Sequence, residues 1–165
     1  MPKTEKVVSA VEAVRPTKLK NIELIKRHEG LRLKAYLPTP NDVWTIGYGH
    51  TKTAKQGMSI TESQADLLLR QDVEWVEKAI NRLMTVPINQ NQFDALGSLV
   101  FNIGATAFAK SSVLKRLNEK DYNGAADAFL MWTKQRDRKT NKMNVLPGLV
   151  KRRQEERQLF LKGTL

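Results

Sequence analysis

From Thr61 onward the apolar residues of the chain recur at helical spacing. Ala65, Leu68, Leu69, Val73, Val76, Ala79, Ile80 and Leu83 fall on one stripe, the recurrence that gathers side chains on a single helix face. Thr61-Glu62-Ser63-Gln64 has capping-box form, a Thr followed three residues later by a Gln. Pro87 ends the pattern. A helix of about 25 residues spans about 37 Å. That exceeds the width of one small lobe, so residues 61–86 are read as one long helix connecting two lobes.

The pattern differs on either side of that helix. Upstream, Asn21 is a good N-cap before Ile22, Leu24 and Ile25, and Gly30 is a good stop. Ala35-Tyr36-Leu37 and Val43-Trp44-Thr45-Ile46 are aromatic and β-branched, and they flank the cluster Pro38-Thr39-Pro40-Asn41-Asp42. That is a hairpin signal. Downstream the pattern is helical. Phe93, Leu96, Leu99, Val100 and Ile103 mark one helix, stopped by Gly104; Ser112 to Asn118, Asn123 to Lys134 and Leu149 to Leu161 are the others. Their apolar stripes, with Phe101 and Phe108, read as core. The expected fold is α+β and mostly helical. A small hairpin-bearing lobe covers 21–60, the connecting helix 61–86 and a larger helical lobe 87–165. Residues 1–20 form an N-terminal extension. The apolar piece there, Val7 to Val14, is broken by Glu12 and followed by Arg15-Pro16, so it does not read as a signal peptide.

Composition narrows the class. A chain of 165 residues with 41% hydrophobic residues can bury a core without staples. It has no Cys, which excludes disulfides and thiolate zinc sites. No apolar run reaches the roughly 18 residues of a membrane span. Lys and Arg number 28 against 17 Asp and Glu, a net charge of +11. That surplus favours encounter with polyanions. The basic residues are spread along the chain, and no nucleic-acid signature accompanies them, so nucleic acid is not the expected partner.

Glu29 ends the first predicted helix, where the partial negative charge of the helix end disfavours a carboxylate. Partial desolvation would act in the same direction. A general acid needs a carboxyl that keeps its proton. From this fragment alone, an ordinary exposed Glu beside a stop glycine is the plainer reading.

The surrounding residues carry more weight. Glu29-Gly30-Leu31-Arg32-Leu33-Lys34-Ala35-Tyr36 followed by Trp44-Thr45-Ile46-Gly47-Tyr48-Gly49-His50-Thr51 resembles the catalytic segment of the T4-like phage lysozymes, glycoside hydrolase family 24. The resemblance continues through Gln71-Asp72-Val73, Phe93-Asp94-Ala95-Leu96, Val100-Phe101-Asn102-Ile103-Gly104, Trp132 and Pro147-Gly148-Leu149-Val150-Lys151-Arg152-Arg153, nearly all of the chain from Asn21 on. It implies a muramidase that cuts the β-1,4 bond between N-acetylmuramic acid and N-acetylglucosamine in peptidoglycan, with no cofactor and no metal. Glu29 would protonate the leaving oxygen. A carboxylate and a Thr would position water on the opposite sugar face, as inversion requires.

One departure bears on the water-activating group. Glu29 and Thr45 enclose fifteen residues, one more than the family pattern. The usual acidic position then falls on Pro38 or Thr39, depending on the direction of counting. Asp42 is the one carboxylate of the loop. It reaches the site if the hairpin tip folds over the cleft, and otherwise serves the turn. Thr45 keeps its place in the motif. The resemblance further implies a structural ion pair between His50 and Asp72, and substrate contacts from Tyr36, Asn102 and Trp132. Trp132 also suits the core. Gly47 and Gly49 read as positions of close backbone approach.

The C-terminal stretch from Lys151-Arg152-Arg153 to Lys162 reads as an amphipathic cationic helix, either a solvated face or a surface that meets an anionic envelope. The expected protein is a monomeric endolysin. It is made in the host cytoplasm and released to the wall by a separate phage pore protein, a holin. Two other readings remain open at this level: a lysozyme-fold glycan-binding module without catalysis, and a cationic membrane-disrupting protein.

Overall fold

A computed structural model of the chain describes residues 16–163. The apolar piece Val7 to Val14 lies outside the described residues. Helix α1 (Glu23–Glu29) buries Leu24 and Ile25. Its cap is Ile22 rather than Asn21, and no side chain caps it. Asn21 instead accepts the Glu23 N–H through Oδ1 at 3.0 Å, so the polar residue serves the helix start from one position further out. Gly30 stops the helix at φ 75°, a left-handed value that suits glycine.

The hairpin follows. Strands β1 (Arg32–Tyr36) and β2 (Thr45–Gly47) are antiparallel. Arg32 pairs with Gly47 and Tyr36 with Thr45, with an irregularity between. Four steps along β1 therefore meet two along β2, a bulge that bends the ribbon. Beyond β2, Ile46 and His50 exchange backbone bonds of 2.9 and 2.8 Å. This tight return brings Gly49 back toward α1.

The connection between lobes is helical throughout, in two segments: α2 (Glu62–Asp72) and α3 (Glu74–Leu83). The capping box is formed at Thr61 and Gln64. Val73 interrupts at φ −75°, ψ −8°, while its N–H still bonds Leu69 and its carbonyl still receives Glu77. Apolar spacing survives such a local bend, so periodicity reads straight through it. The interruption lies where residues 17–19 cross the helix pair. Arg70 donates to the Leu19 carbonyl at 3.0 Å, and Glu77 accepts the Leu19 N–H at 2.6 Å. Residues 16–20, read as extension, are docked: Leu19 is buried against Gly97, and Asp94 accepts the N–H groups of Lys20 and Asn21.

The larger lobe is built around α4 (Gln90–Ile103), buried without interruption from Gln92 to Val100. A helix covered on all sides is a core helix. Around it lie α5 (Ala105–Ala109), α6 (Ser112–Asn118), α7 (Tyr122–Ala128), a 3-10 turn (Phe129–Met131) and α8 (Pro147–Leu161). Phe93, Phe108, Phe129 and Phe160 are fully inaccessible, and Phe129 packs on Phe160 at 5.4 Å between ring centres. The helix expected to reach Lys134 ends earlier. A second hairpin, β3 (Lys134–Arg136) with β4 (Met143–Val145), follows the 3-10 turn. Its loop has local chemistry for a reversal: Asp137 accepts the N–H groups of Lys139 and Thr140, and Asn141 sits at φ 58°.

Candidate active site

Glu29 is the last residue of α1, and its carboxyl faces a cleft of about 500 Å³ between the lobes. Glu29, Gly49, Thr51 and Lys52 line one side, Asp72 and Trp75 the connecting helices, and Phe101 and Asn102 the end of α4. A Cβ on Gly49 would lie 3.6 Å from Glu29 Oε2, and Gly49 itself is at φ +82°. Glycine there meets a backbone requirement and leaves the carboxyl oxygen open to the cleft. Oε1 receives Arg152 Nη1 at 3.1 Å.

Behind that contact lies a buried charged group on α8. Arg152 Nε reaches Ser98 Oγ and Glu156 Oε2, both at 3.3 Å, and Nη2 donates to the Ser98 carbonyl at 3.1 Å. Arg153 and Glu156 are both fully inaccessible and approach to 2.7 Å. Burial pushes the Glu156 carboxyl up, against the pull of Arg153, Ser98 and Arg152. Burial also pulls the Arg153 guanidinium down, against Glu156. Removing one partner of such a group typically costs about 3–5 kcal/mol, because the other charge is left stranded out of water. The reading of Lys151-Arg152-Arg153 as solvated cationic surface is therefore corrected at two positions. Glu29, Ser98 and Glu156 supply the partners that turn Arg152 and Arg153 inward.

A second cluster lies behind α1. Glu155 accepts Arg27 Nη1 at 2.8 Å and meets His28 Nε2 at 3.3 Å. Burial lowers the His28 pKa and outweighs the opposing pull of Glu155. Burial would raise Glu155, but its bonds to Arg27 and His28 lower it overall.

The other expected site residues divide. Asn102 lines the cleft with Glu29. His50 and Asp72 meet at 2.8 Å through Nδ1. The other ring nitrogen, Nε2, lies 2.6 Å from the Thr53 hydroxyl and 3.2 Å from the Thr53 N–H. Thr45 is buried, and its hydroxyl donates to the Val43 carbonyl at 3.1 Å. Asp42 sits exposed at the hairpin tip. It accepts the Val43 N–H at 2.9 Å and approaches the Thr39 hydroxyl at 3.4 Å. Tyr36 lies across from Thr45, with the Arg32 guanidinium 4.7 Å above its ring. Trp132 is half-buried against the core. Phe101, read as core, is only partly so: it packs on the core and also lines the cleft. The sequence gives no sign of a place in the site for Arg152, Trp75 or Lys52. No local spacing ties them to Glu29; Arg152 is 123 positions away. Among the described residues no group of three or more His, Cys, Asp or Glu is placed to hold a metal ion.

This cleft can be compared with known proteins. Residues 26–156 match the phage lysozyme family. The endolysin of Acyrthosiphon pisum secondary endosymbiont phage 1 is 50% identical over 141 residues, covering 86% of this chain and 94% of that protein. The endolysin of Salmonella phage P22 is 49% identical over 145 residues, covering 85% and 94%. Among solved structures, the muramidase domain of SpmX from Asticaccaulis excentricus superposes with a TM-score of 0.80 at 45% identity, covering 86% and 94%. The matched stretch contains both Glu29 and the Arg152 that holds it, and the chain belongs to the phage lysozyme family.

Proposed function

We propose that Glu29 is the general acid of this lysozyme. The protein is an endolysin that hydrolyses peptidoglycan and acts on the cell wall. Glu29 protonates the oxygen of the β-1,4 bond between N-acetylmuramic acid and N-acetylglucosamine as that bond breaks. The observation that carries the assignment is its position. It is a carboxyl at a helix end, at the wall of the inter-lobe cleft, with one oxygen fixed by Arg152 and the other facing open space at Gly49. Fixing the carboxyl before substrate arrives removes ordering that the reaction would otherwise require.

Water enters from the opposite sugar face, positioned by Thr45. The Thr45 hydroxyl spends its proton on the Val43 carbonyl, and its lone pairs stay available to accept from a water. Asp42 grips the same residue through the Val43 N–H. It is the carboxylate of that hairpin, and it takes the water's proton when the tip folds over the cleft. Tyr36 and Trp132 contribute from the rims, and the His50–Asp72 contact ties the hairpin lobe to α2. Residues 21–60, 61–86 and 87–165 act as small lobe, connector and large lobe. Action as a monomer, release by a separate phage pore protein and contact with an anionic envelope belong to the same reading; they rest on family resemblance and charge.

The test is turbidity loss of purified cell walls with Glu29→Gln, Asp42→Asn and Thr45→Ala side by side. Loss of a general acid costs about 10²–10⁴-fold, so Glu29→Gln is expected to fall at least a hundredfold. A Glu29→Gln protein as active as wild type removes the acid role. If neither protein clears walls but both bind them, the chain is a glycan-binding module. An unimpaired Asp42→Asn protein leaves Asp42 with the turn alone.

A further inference from the structure

We infer that Trp75, backed by Phe101, is a stacking platform for one sugar ring of the glycan strand beside Glu29. This assignment rests on the peptidoglycan-hydrolase reading above and adds a binding residue to it.

Trp75 lies in the first turn of α3 and stays 42% exposed, although Val76, Ala79 and Ile80 of the same helix are buried. It is the one aromatic side chain among the exposed large apolar residues of the described chain. Packing of α3 therefore does not account for it. Its ring lies 6.4 Å from that of Phe101 at an interplanar angle of 22°. Two rings from two different helices are thus held nearly parallel, with part of the indole left open. What remains is a flat, rigid apolar surface within the cleft that holds Glu29 and Asn102.

A pyranose ring matches that surface. One of its faces is lined by C–H groups and its rim by hydroxyl and acetamido groups. A flat aromatic takes the apolar face, and nearby polar side chains fix orientation at the rim. Asn102 supplies an amide donor and acceptor there. Because the stack is preformed, little side-chain freedom is lost on binding. The occupant is an N-acetylated hexosamine of the strand rather than its peptide stem, since what Trp75 offers is a flat aromatic face with an amide beside it.

The experiment measures binding of peptide-free glycan strands, stripped of their stems by an amidase, to Glu29→Gln protein, which leaves the strands intact. Indole fluorescence and calorimetry provide the readouts. Adding Trp75→Leu, which keeps apolar bulk but not the flat ring, is expected to weaken binding about tenfold, the upper range for an aromatic contact. Adding Trp75→Phe is expected to restore it to within about threefold. In the active enzyme Trp75→Leu should raise KM and leave kcat nearly unchanged, the mark of uniform binding. Unaltered affinity in the Leu variant overturns the platform. Equal weakening in Leu and Phe variants overturns it as well. Full lytic activity of Glu29→Gln defeats the acid assignment instead, and the KM of Trp75→Leu against wild type then decides the platform.

Discussion

Arg152 and Glu29 are 123 positions apart in the chain and 3.1 Å apart in the fold. The environment of the proposed acid is set by such a contact as much as by its own helix. His28, its neighbour, gives a measurable consequence. Burial is the largest influence on this imidazole and disfavours its charged form; Arg152 and Arg27 act the same way, and Glu155 opposes them. The folded pKa lies below the unfolded value of 6.5. Between those two values the unfolded chain binds more protons, so stability rises with pH there. The contribution is complete above the unfolded pKa and is lost as pH falls through about 6.5 toward the folded pKa. Glu155, lowered overall, loses its contribution further into acid. His28→Gln is therefore expected to show a smaller drop in urea midpoint than wild type between about pH 7 and pH 5. Equal drops in the two proteins would remove His28 as the source. At this scale the sequence identified His28-Glu29-Gly30 and the glycine at 49. The identity of the cation at Glu29 was hidden, because a basic run looks the same whether it faces water or a buried carboxylate.

Helix ends were the most legible elements. The capping box at Thr61 and Gln64 and the stops at Gly30 and Gly104 are formed as read, since each depends on residues within a few positions of one another. The bend at Val73 was not legible, because it leaves the apolar spacing intact. The second hairpin was missed because its strands are three residues each, too short for a clear alternation. The docking of residues 16–20 was also hidden, and Gly97 explains it. A Cβ at Gly97 would collide with the Leu19 side chain. Ala in place of Gly gains about 1 kcal/mol of helix propensity, while overpacking costs about 1–3 kcal/mol, so the collision is expected to win. Gly97→Ala should lower the urea midpoint, and combined with Leu19→Ala, itself a loss of buried surface, it should cost less than the sum of the two single losses. Strictly additive effects in that double-mutant cycle would show that the two residues do not meet.

Over the whole molecule the charge of +11 is proposed to act on an anionic wall through solvent. Fields of that kind are screened within about 8–10 Å at physiological salt. Wall clearance is thus expected to slow several-fold between about 0.02 and 0.2 M salt, while hydrolysis of short peptide-free strands changes little. A clearance rate flat across that range would show that the net charge does not assist encounter. Two of the cations in that sum, Arg152 and Arg153, are nearly inaccessible, and the surface field comes from the others. The lobe order, the hairpin with Thr45 and Asp42, the connecting helix and the family were determined by the sequence alone. Periodicity, end signals and the order of motifs are properties of neighbours along a chain. Only the tertiary structure decided which charges lie out of water and that Trp75 and Phe101 line the cleft with Glu29. Desolvation and packing depend on which distant elements meet, and no local pattern records that.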